Sequence, residues 1–481
     1  MQLMAKTLTP MKRIVLTLLV VLGAVACDRP PGASKADGPA AASSAAPAAS
    51  APPRLVVLGL DAGTWELLGP WMDRGLLPNL ARLRASGVYG KLRSTDPSSS
   101  PVIWTSIATG KTPEKTGISW FVRFPHGVGK PVPVDRRQLK TSTLWDMLSR
   151  RRIDVAVLGW YVTWPAAEVN GRLLTDLAHF GKMPGSAWPA EFLWDLRPVP
   201  DQEAIAAMPR FMDFPYDAAR AVKKEGVPPS LDYLVYDRFV RAWARDRYYL
   251  EAAERTLSSG PLPEAFFLYL RGTDDVQHGF WKFMAPDAFA PRTLPDGKPL
   301  EGAVVVPPEQ VAAFGKVIER YWQWIDEGVS RILAHYAKSP PLVIVCSDHG
   351  AGPGVGENHI EVPEYLHLSG AHRIDGIFVA SGPGIRSGAG QDGKQDGVEI
   401  TGASIYDIAP TILHALGLPV GKDMDGRVLT DIFDEHMARR PEETIESWDT
   451  GRVEAVAEPE VPAEVDEKVL EHLKSLGYIG Q

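Results

Sequence analysis

Three aspartates close apolar runs in the same way. They are Val56-Val57-Leu58-Gly59-Leu60-Asp61, Phe266-Phe267-Leu268-Tyr269-Leu270-Arg271-Gly272-Thr273-Asp274 and Val343-Ile344-Val345-Cys346-Ser347-Asp348. If each run is a strand of one open α/β sheet, all three carboxylates arrive at the edge where such sheets bind ligands. Desolvation and like charge would then oppose their ionisation unless a multivalent cation neutralised them. Histidines follow two of them, in Asp274-Asp275-Val276-Gln277-His278 and Asp348-His349, and a third stands in Gly370-Ala371-His372-Arg373. Mixed imidazole and carboxylate donors suit zinc or manganese better than calcium. Any one of these residues reads equally well as a helix cap or a surface side chain; the set together points to a metal centre.

A hydroxyl-rich stretch, Asp96-Pro97-Ser98-Ser99-Ser100-Pro101-Val102-Ile103-Trp104-Thr105-Ser106-Ile107-Ala108-Thr109-Gly110, lies between the first strand and the next. A hydroxyl at a loop-to-helix junction beside a metal could ionise to a nucleophile, while the helix N-terminus favours phosphate oxygens. Taken by itself the run is a Ser-rich N-cap.

The elements that must position these groups are legible as apolar runs. Leu55–Leu60, Val155–Leu158, Ala265–Leu270 and Leu342–Cys346 read as buried parallel strands, with a fifth at Gly376–Ala380. Helical patterns fall at Pro78–Ser86, Thr143–Arg150, Tyr233–Ser258, Pro308–Tyr336 and Ser404–Leu416. This alternation predicts an α/β fold, a three-layer α/β/α sandwich around a mostly parallel sheet. Residues 120–150 and 180–240 lack clean periodicity and read as insertions, the latter as a cap near the site outside the sheet. The aromatics Trp120, Phe121, Trp160, Tyr161 and Trp164 could stack a base or lipid head group, or pack as core.

Composition bounds the rest. The 481 residues are 45% hydrophobic and 23% charged, as in a soluble globular protein, with ample length for a core. A formal charge of −8, with no dense Lys/Arg run beyond residue 13, gives no electrostatic case for a nucleic-acid polymer as partner. Lys12 and Arg13, the apolar run Ile14–Val25 and the ending Gly23-Ala24-Val25-Ala26-Cys27 make residues 1–27 an export signal, for which Met11 is as good a start as Met1. The apolar run is short for a transmembrane helix.

Cys27 sits where a bacterial lipoprotein carries its acylated cysteine, so a lipid anchor at the membrane is expected, periplasmic or at the cell surface. Ala24 replaces the usual Leu of such signals, and Ala-Val-Ala would equally suit release of a soluble protein. The other cysteine, Cys346, reads as inert core. Residues 28–53, rich in Pro, Ala and Ser, form a spacer; 54–434 form the catalytic domain; 435–481 hold an acidic tail and a C-terminal helix expected at Val465–Tyr478.

The order of these motifs resembles the alkaline phosphatase superfamily, most closely its type I phosphodiesterase and nucleotide pyrophosphatase branch. The matching pieces are Gly59-Leu60-Asp61, Leu77-Pro78-Asn79-Leu80, Trp104-Thr105-Ser106 with Thr109-Gly110, Thr163-Trp164-Pro165, Thr273-Asp274 through His278, Ser347-Asp348-His349-Gly350, Gly370 through Gly376, and Asp407-Ile408-Ala409-Pro410-Thr411. The resemblance implies two divalent ions, usually zinc, about 4 Å apart. It assigns Asp274, His278 and His372 to the leaving-group ion, and Asp61, Asp348 and His349 to the ion that activates the nucleophile. Counting back from Thr109-Gly110 places that nucleophile, itself a metal ligand, on Ser100, with Ser99 and Thr105 as fallbacks.

Two features depart from the branch: Ser100 stands where Thr is common, and Thr116-Gly117-Ile118 where His-Gly-Ile is usual. The Cys/Ser-x-Pro-x-Arg pattern of sulfatase relatives is absent. The expected function is hydrolysis of small phosphate esters, as a phosphodiesterase or nucleotide pyrophosphatase passing through a phospho-enzyme. A phosphomonoesterase, a phosphotransferase and a non-catalytic surface lipoprotein are the alternatives. The leaving group and oligomeric state are not legible.

Overall fold

The computed structural model describes residues 54–124, 130–214, 230–358, 368–388, 397–450 and 463–475. The expected export signal, Cys27, the spacer, residues 215–229 within the 180–240 region and residues 451–462 of the acidic tail lie outside the described residues.

Strands β1 (Leu55–Leu60), β2 (Val88–Arg93), β3 (Val155–Leu158), β4 (Gly171–Leu174), β5 (Ala187–Trp188), β6 (Ala265–Leu270), β7 (Leu342–Cys346), β10 (Asp375–Ser381) and β11 (Val398–Ser404) form one nine-stranded sheet, ordered β11-β2-β10-β7-β1-β6-β3-β4-β5. A separate hairpin joins β8 (Gly350–Pro353) to β9 (Gly370–Arg373). The four apolar runs expected as parallel strands are parallel neighbours in the order β7-β1-β6-β3. Their near-continuous Val/Ile/Leu/Phe content suits burial on both faces. Along β1, Val56, Leu58 and Leu60 enter one core while Leu55 and Val57 enter the other, as the two-residue strand period requires.

Helices cover both faces. One face carries α1 (Trp65–Asp73), α2 (Pro78–Ala85), α5 (Arg241–Ser258), α6 (Gly272–Met284) and α7 (Val317–Ala334); the other carries α3 (Ser100–Thr109), α4 (Leu144–Arg150) and α8 (Ile408–Ala415). A further helix, α9 (Ala463–Ser475), lies near the chain's end. Local signals set several boundaries. Thr143 caps α4 in a reciprocal box with Asp146, and Gly110, in the left-handed region at φ 69°, ends α3.

Two expectations change. The fifth run, β10, is antiparallel to both its neighbours, β7 and β2, because the chain leaves β7 at the carboxyl edge, turns through the β8–β9 hairpin and re-enters at that edge without a crossover. The 180–240 region, expected to stand outside the sheet, contributes β5 to its edge, antiparallel to β4. Its Leu196, Ala204, Met208, Phe211, Leu234 and Phe239 join the core that α5 to α7 build. Cys346 is buried in β7, where desolvation pushes its thiol pKa up, in line with an inert core residue.

Candidate functional site

Register brings the three carboxylates together. Leu60 of β1 lies opposite Leu270 of β6, and Gly59 lies opposite Cys346 of β7, so the strands end nearly level. Asp61 follows β1 directly and Asp348 follows β7 after Ser347, while Asp274 lies in the first turn of α6. All three are buried. The turn after β1 is strained, with Ala62 at φ 56°, in a region L-residues rarely adopt. It is pinned from three sides: Gly63 N donates to Ser347 Oγ at 3.0 Å, Gln277 Nε2 to Ala62 O at 2.9 Å and Thr273 Oγ1 to Asp61 O at 2.6 Å. A Cβ on Gly63 would come within 2.4 Å of Ser347 Oγ, which explains the glycine.

The start of α6 is anchored from another helix. Asp246 of α5 accepts from Arg271 N at 3.2 Å, Gly272 N at 2.9 Å and the Tyr321 hydroxyl at 3.0 Å. Asp274 and His278 then share one helix face, four residues apart.

The three imidazoles are held alike. Each turns Nδ1 to a backbone carbonyl: His278 to Gly370 O at 2.9 Å, His349 to Gly350 O at 3.0 Å and His372 to Ser98 O at 3.2 Å. With Nδ1 so engaged, Nε2 is the nitrogen each ring turns to the carboxylates, where it can bind a metal once it carries no proton. His278 Nε2 lies 3.2 Å from Asp274 Oδ1 and 3.0 Å from His372 Nε2; His372 Nε2 is 3.6 Å from Asp274 Oδ1. His349 Nε2 lies 3.5 Å from Asp61 Oδ1 and 3.4 Å from Asp348 Oδ2. The His349 and His372 rings stack at 3.7 Å, making one contiguous centre.

Two groups of donor atoms, Asp274-His278-His372 and Asp61-Asp274-His349, each lie within 4.8 Å and could hold a metal ion. The expected Asp348 stands beside the second group through its approach to His349. Burial raises the Asp61 pKa to about 6, reinforced by the charge of Asp274, and burial with the charge of Asp61 raises that of Asp348 further. Burial also opposes ionisation of Asp274, yet His278 and His372 hold its pKa well below the usual carboxylate range. Desolvation lowers the pKa of His372 to about 4 and also depresses that of His349, so both stay neutral, the form that binds metals.

Asp61 Oδ1, Asp274 Oδ2, Asp348 Oδ2 and His349 Nε2 are buried without any hydrogen-bond partner. Leaving one such group unsatisfied costs about 1–3 kcal/mol, and more when it is charged. Coincidence of four at one point fits bound cations.

Ser100 is the first residue of α3, buried, with Oγ unpartnered. Ser99, at the N-cap, makes no side-chain capping bond, so the plain capping role does not account for these hydroxyls. Thr105 is engaged, donating to Pro101 O at 2.7 Å. The loop before α3 touches the centre directly: Ser98 Oγ lies 2.9 Å from His372 Nδ1.

Sequence reasoning missed Tyr269, whose hydroxyl donates to Asp61 Oδ2, and the supports Ser98, Gln277, Ser347 and Asp246. Gln277 and Ser347 each adjoin a ligand-type residue in sequence, the one available hint. Of the aromatics, Phe121, Trp160 and Trp164 are core, whereas Tyr161 accepts from Arg271 Nη1 at 3.2 Å beside a cavity.

Comparison with known proteins gives a family match over residues 55–405, to the profile described as type I phosphodiesterase / nucleotide pyrophosphatase. A 2,3-bisphosphoglycerate-independent phosphoglycerate mutase of Roseobacter denitrificans is 31% identical over 110 residues, 22% of this chain and 18% of that protein. Human ectonucleotide pyrophosphatase / phosphodiesterase 5 superposes at TM-score 0.46 and 12% identity, covering 79% of this chain and 100% of the other. A phosphonoacetate hydrolase from Sinorhizobium meliloti 1021 reaches 0.36 at 18% identity over 63% and 57% of the two chains. At these scores the structural likenesses transfer no chemistry.

Proposed function

The chain belongs to the type I phosphodiesterase / nucleotide pyrophosphatase family, and from that premise we propose that it hydrolyses small phosphodiesters, nucleotide pyrophosphates among them, with Ser100 as nucleophile. Membership makes it a metal-dependent phosphoric ester hydrolase. The observation that carries the finer reading is the convergence of unpartnered donor atoms from Asp61, Asp274, Asp348 and His349 at the sheet edge, with an unpartnered Ser100 hydroxyl at the start of α3.

Asp274, His278 and His372 would hold one ion, and Asp61, Asp348 and His349, with Ser100, the other. Three imidazoles and three carboxylates suit zinc, with manganese as the alternative. When bound, the ions supply Lewis acidity that favours the ionised hydroxyl and offsets charge on the phosphate. Ser100 Oγ loses its proton to solvent and bonds to phosphorus as the bond to the leaving oxygen breaks; the leaving alcohol departs protonated. Water then cleaves the Oγ–P bond and restores the serine. The N-terminus of the ten-residue α3 favours the phosphate charge throughout.

Ser100→Ala should lower turnover of bis(p-nitrophenyl) phosphate on the order of 10³-fold or more with metal content unchanged. Wild-type rates in that variant would remove Ser100 from the mechanism. Preference for p-nitrophenyl phosphate over the diester would move the reading to a phosphomonoesterase.

A further inference from the structure

Next to the centre lies a cavity of about 80 Å³ whose inner wall is Tyr269 and Arg271 and whose sides include Tyr161, Phe180 and Arg245. Tyr269 presents its ring to this space and donates its hydroxyl to Asp61. The cavity therefore borders the centre, one side chain lining the first and hydrogen-bonding a carboxylate of the second. Val469 and Leu473 of α9 also line it, a helix that lies beyond residues 55–405 that carry the family match.

The helix is seated along its length. Leu473 is buried with Phe121 and Val122, and Val469 packs both on that cluster and against Trp164 and Met183. Glu471 lies 3.6 Å from Arg241. A second cavity, of about 310 Å³, shares His179, Phe180 and Arg245 with the first and is lined also by Lys468 and Glu471 of the same helix. The helix thus walls both spaces, presenting aliphatic side chains to the one nearer the centre and charged ones to the one further out.

We propose that α9 is the specificity element of this enzyme: Val469 and Leu473 set the size of the organic group on the phosphate that the inner cavity admits, a compact aromatic or heteroaromatic one. The ring faces of Tyr161, Phe180 and Tyr269 offer flat apolar contact, and the Arg245 and Arg271 guanidinium groups offer donors and stacking planes to an electron-rich ring edge. This assignment rests on the phosphate-ester reading and extends it to the substrate's organic half.

The test is calorimetric binding of methylphosphonate, phenylphosphonate and 1-naphthylphosphonate to the metal-loaded full-length protein and to its Val469→Trp and Leu473→Ala variants. Val469→Trp fills the cavity and should weaken phenylphosphonate about tenfold or more while methylphosphonate is unchanged. Leu473→Ala enlarges it and should strengthen 1-naphthylphosphonate about threefold or more relative to phenylphosphonate. Unchanged binding ratios in both variants would overturn the proposal. Hydrolysis of bis(p-nitrophenyl) phosphate by the wild type is read separately. If that is absent while the binding ratios shift, the esterase reading falls and the role of α9 stands.

Discussion

The two halves of the centre share Asp274 but differ in electrostatic balance. Around Asp274, the imidazoles of His278 and His372 approach within 3.2 and 3.6 Å, and the carboxylate is stabilised despite full burial. Around Asp61 and Asp348, two buried carboxylates face each other with one neutral imidazole, and both pKa values rise. In one half the charge of protonated His278 offsets the carboxylate without a metal ion. The other accumulates charge that protons or a cation must offset, so metal binding there also relieves repulsion stored in the fold.

Replacing the shared residue tests the comparison most severely. Asp274 contributes to both donor groups, so Asp274→Asn should reduce bound metal from about two ions per chain to about none by elemental analysis. His278→Ala should lose about one. Equal losses in the two variants would mean that the halves are not separable.

Stability without metal gives a contrast of sign. A carboxyl whose folded pKa is raised binds its proton more tightly folded than unfolded, so Asp61 destabilises the metal-free protein as pH rises from its unfolded value of 3.8 through about 6. In chelator at pH 7, Asp61→Asn should therefore stabilise by roughly 1–3 kcal/mol, an advantage that fades toward pH 4. Asp274 has the opposite sign: its lowered pKa contributes stability above the unfolded value, lost only in acid. Asp274→Asn should destabilise the same protein at pH 7. Urea unfolding of both variants decides, and a shared sign would dissolve the distinction.

The smallest effects come from the supports. Tyr269→Phe removes a donor to Asp61 and should weaken metal binding about tenfold. Ser98→Ala should cost less than that tenfold, since His372 keeps the Ser98 carbonyl. Metal-buffer titrations rank the two.

Asp61, Asp274 and Asp348 stood out by their strand-end positions, and His278 and His349 by lying near them, whereas the division of ligands between two ions came only from the family resemblance; the four parallel runs were legible because burial on both faces leaves an unbroken apolar signal. β2 was not, since its burial alternates and Tyr89 and Lys91 interrupt the apolar run. β5 has only two residues, too few for any period to register. The direction of β10 was invisible because it depends on which edge the chain re-enters, a property of the β8–β9 hairpin rather than of its own residues. Tyr269, Asp246 and the wall formed by α9 depend on contacts between residues far apart in the chain, among them Asp246 with Gly272, 26 positions apart, Tyr269 with Asp61, 208 apart, and Leu473 of α9 with Phe121.

All three histidines of the centre take their orientation from main-chain carbonyls. A peptide oxygen persists whatever side chain its residue carries, so a substitution at Ser98 would leave the His372 tautomer in place, whereas Gly350 and Gly370 admit no side chain, since a Cβ there would meet Asp375 O at 2.2 Å and Gln277 O at 2.3 Å. To transplant this centre into another scaffold, copying six side chains would be insufficient. The recipient must also bring the α3 loop and the β8–β9 hairpin past the sheet edge at the same height.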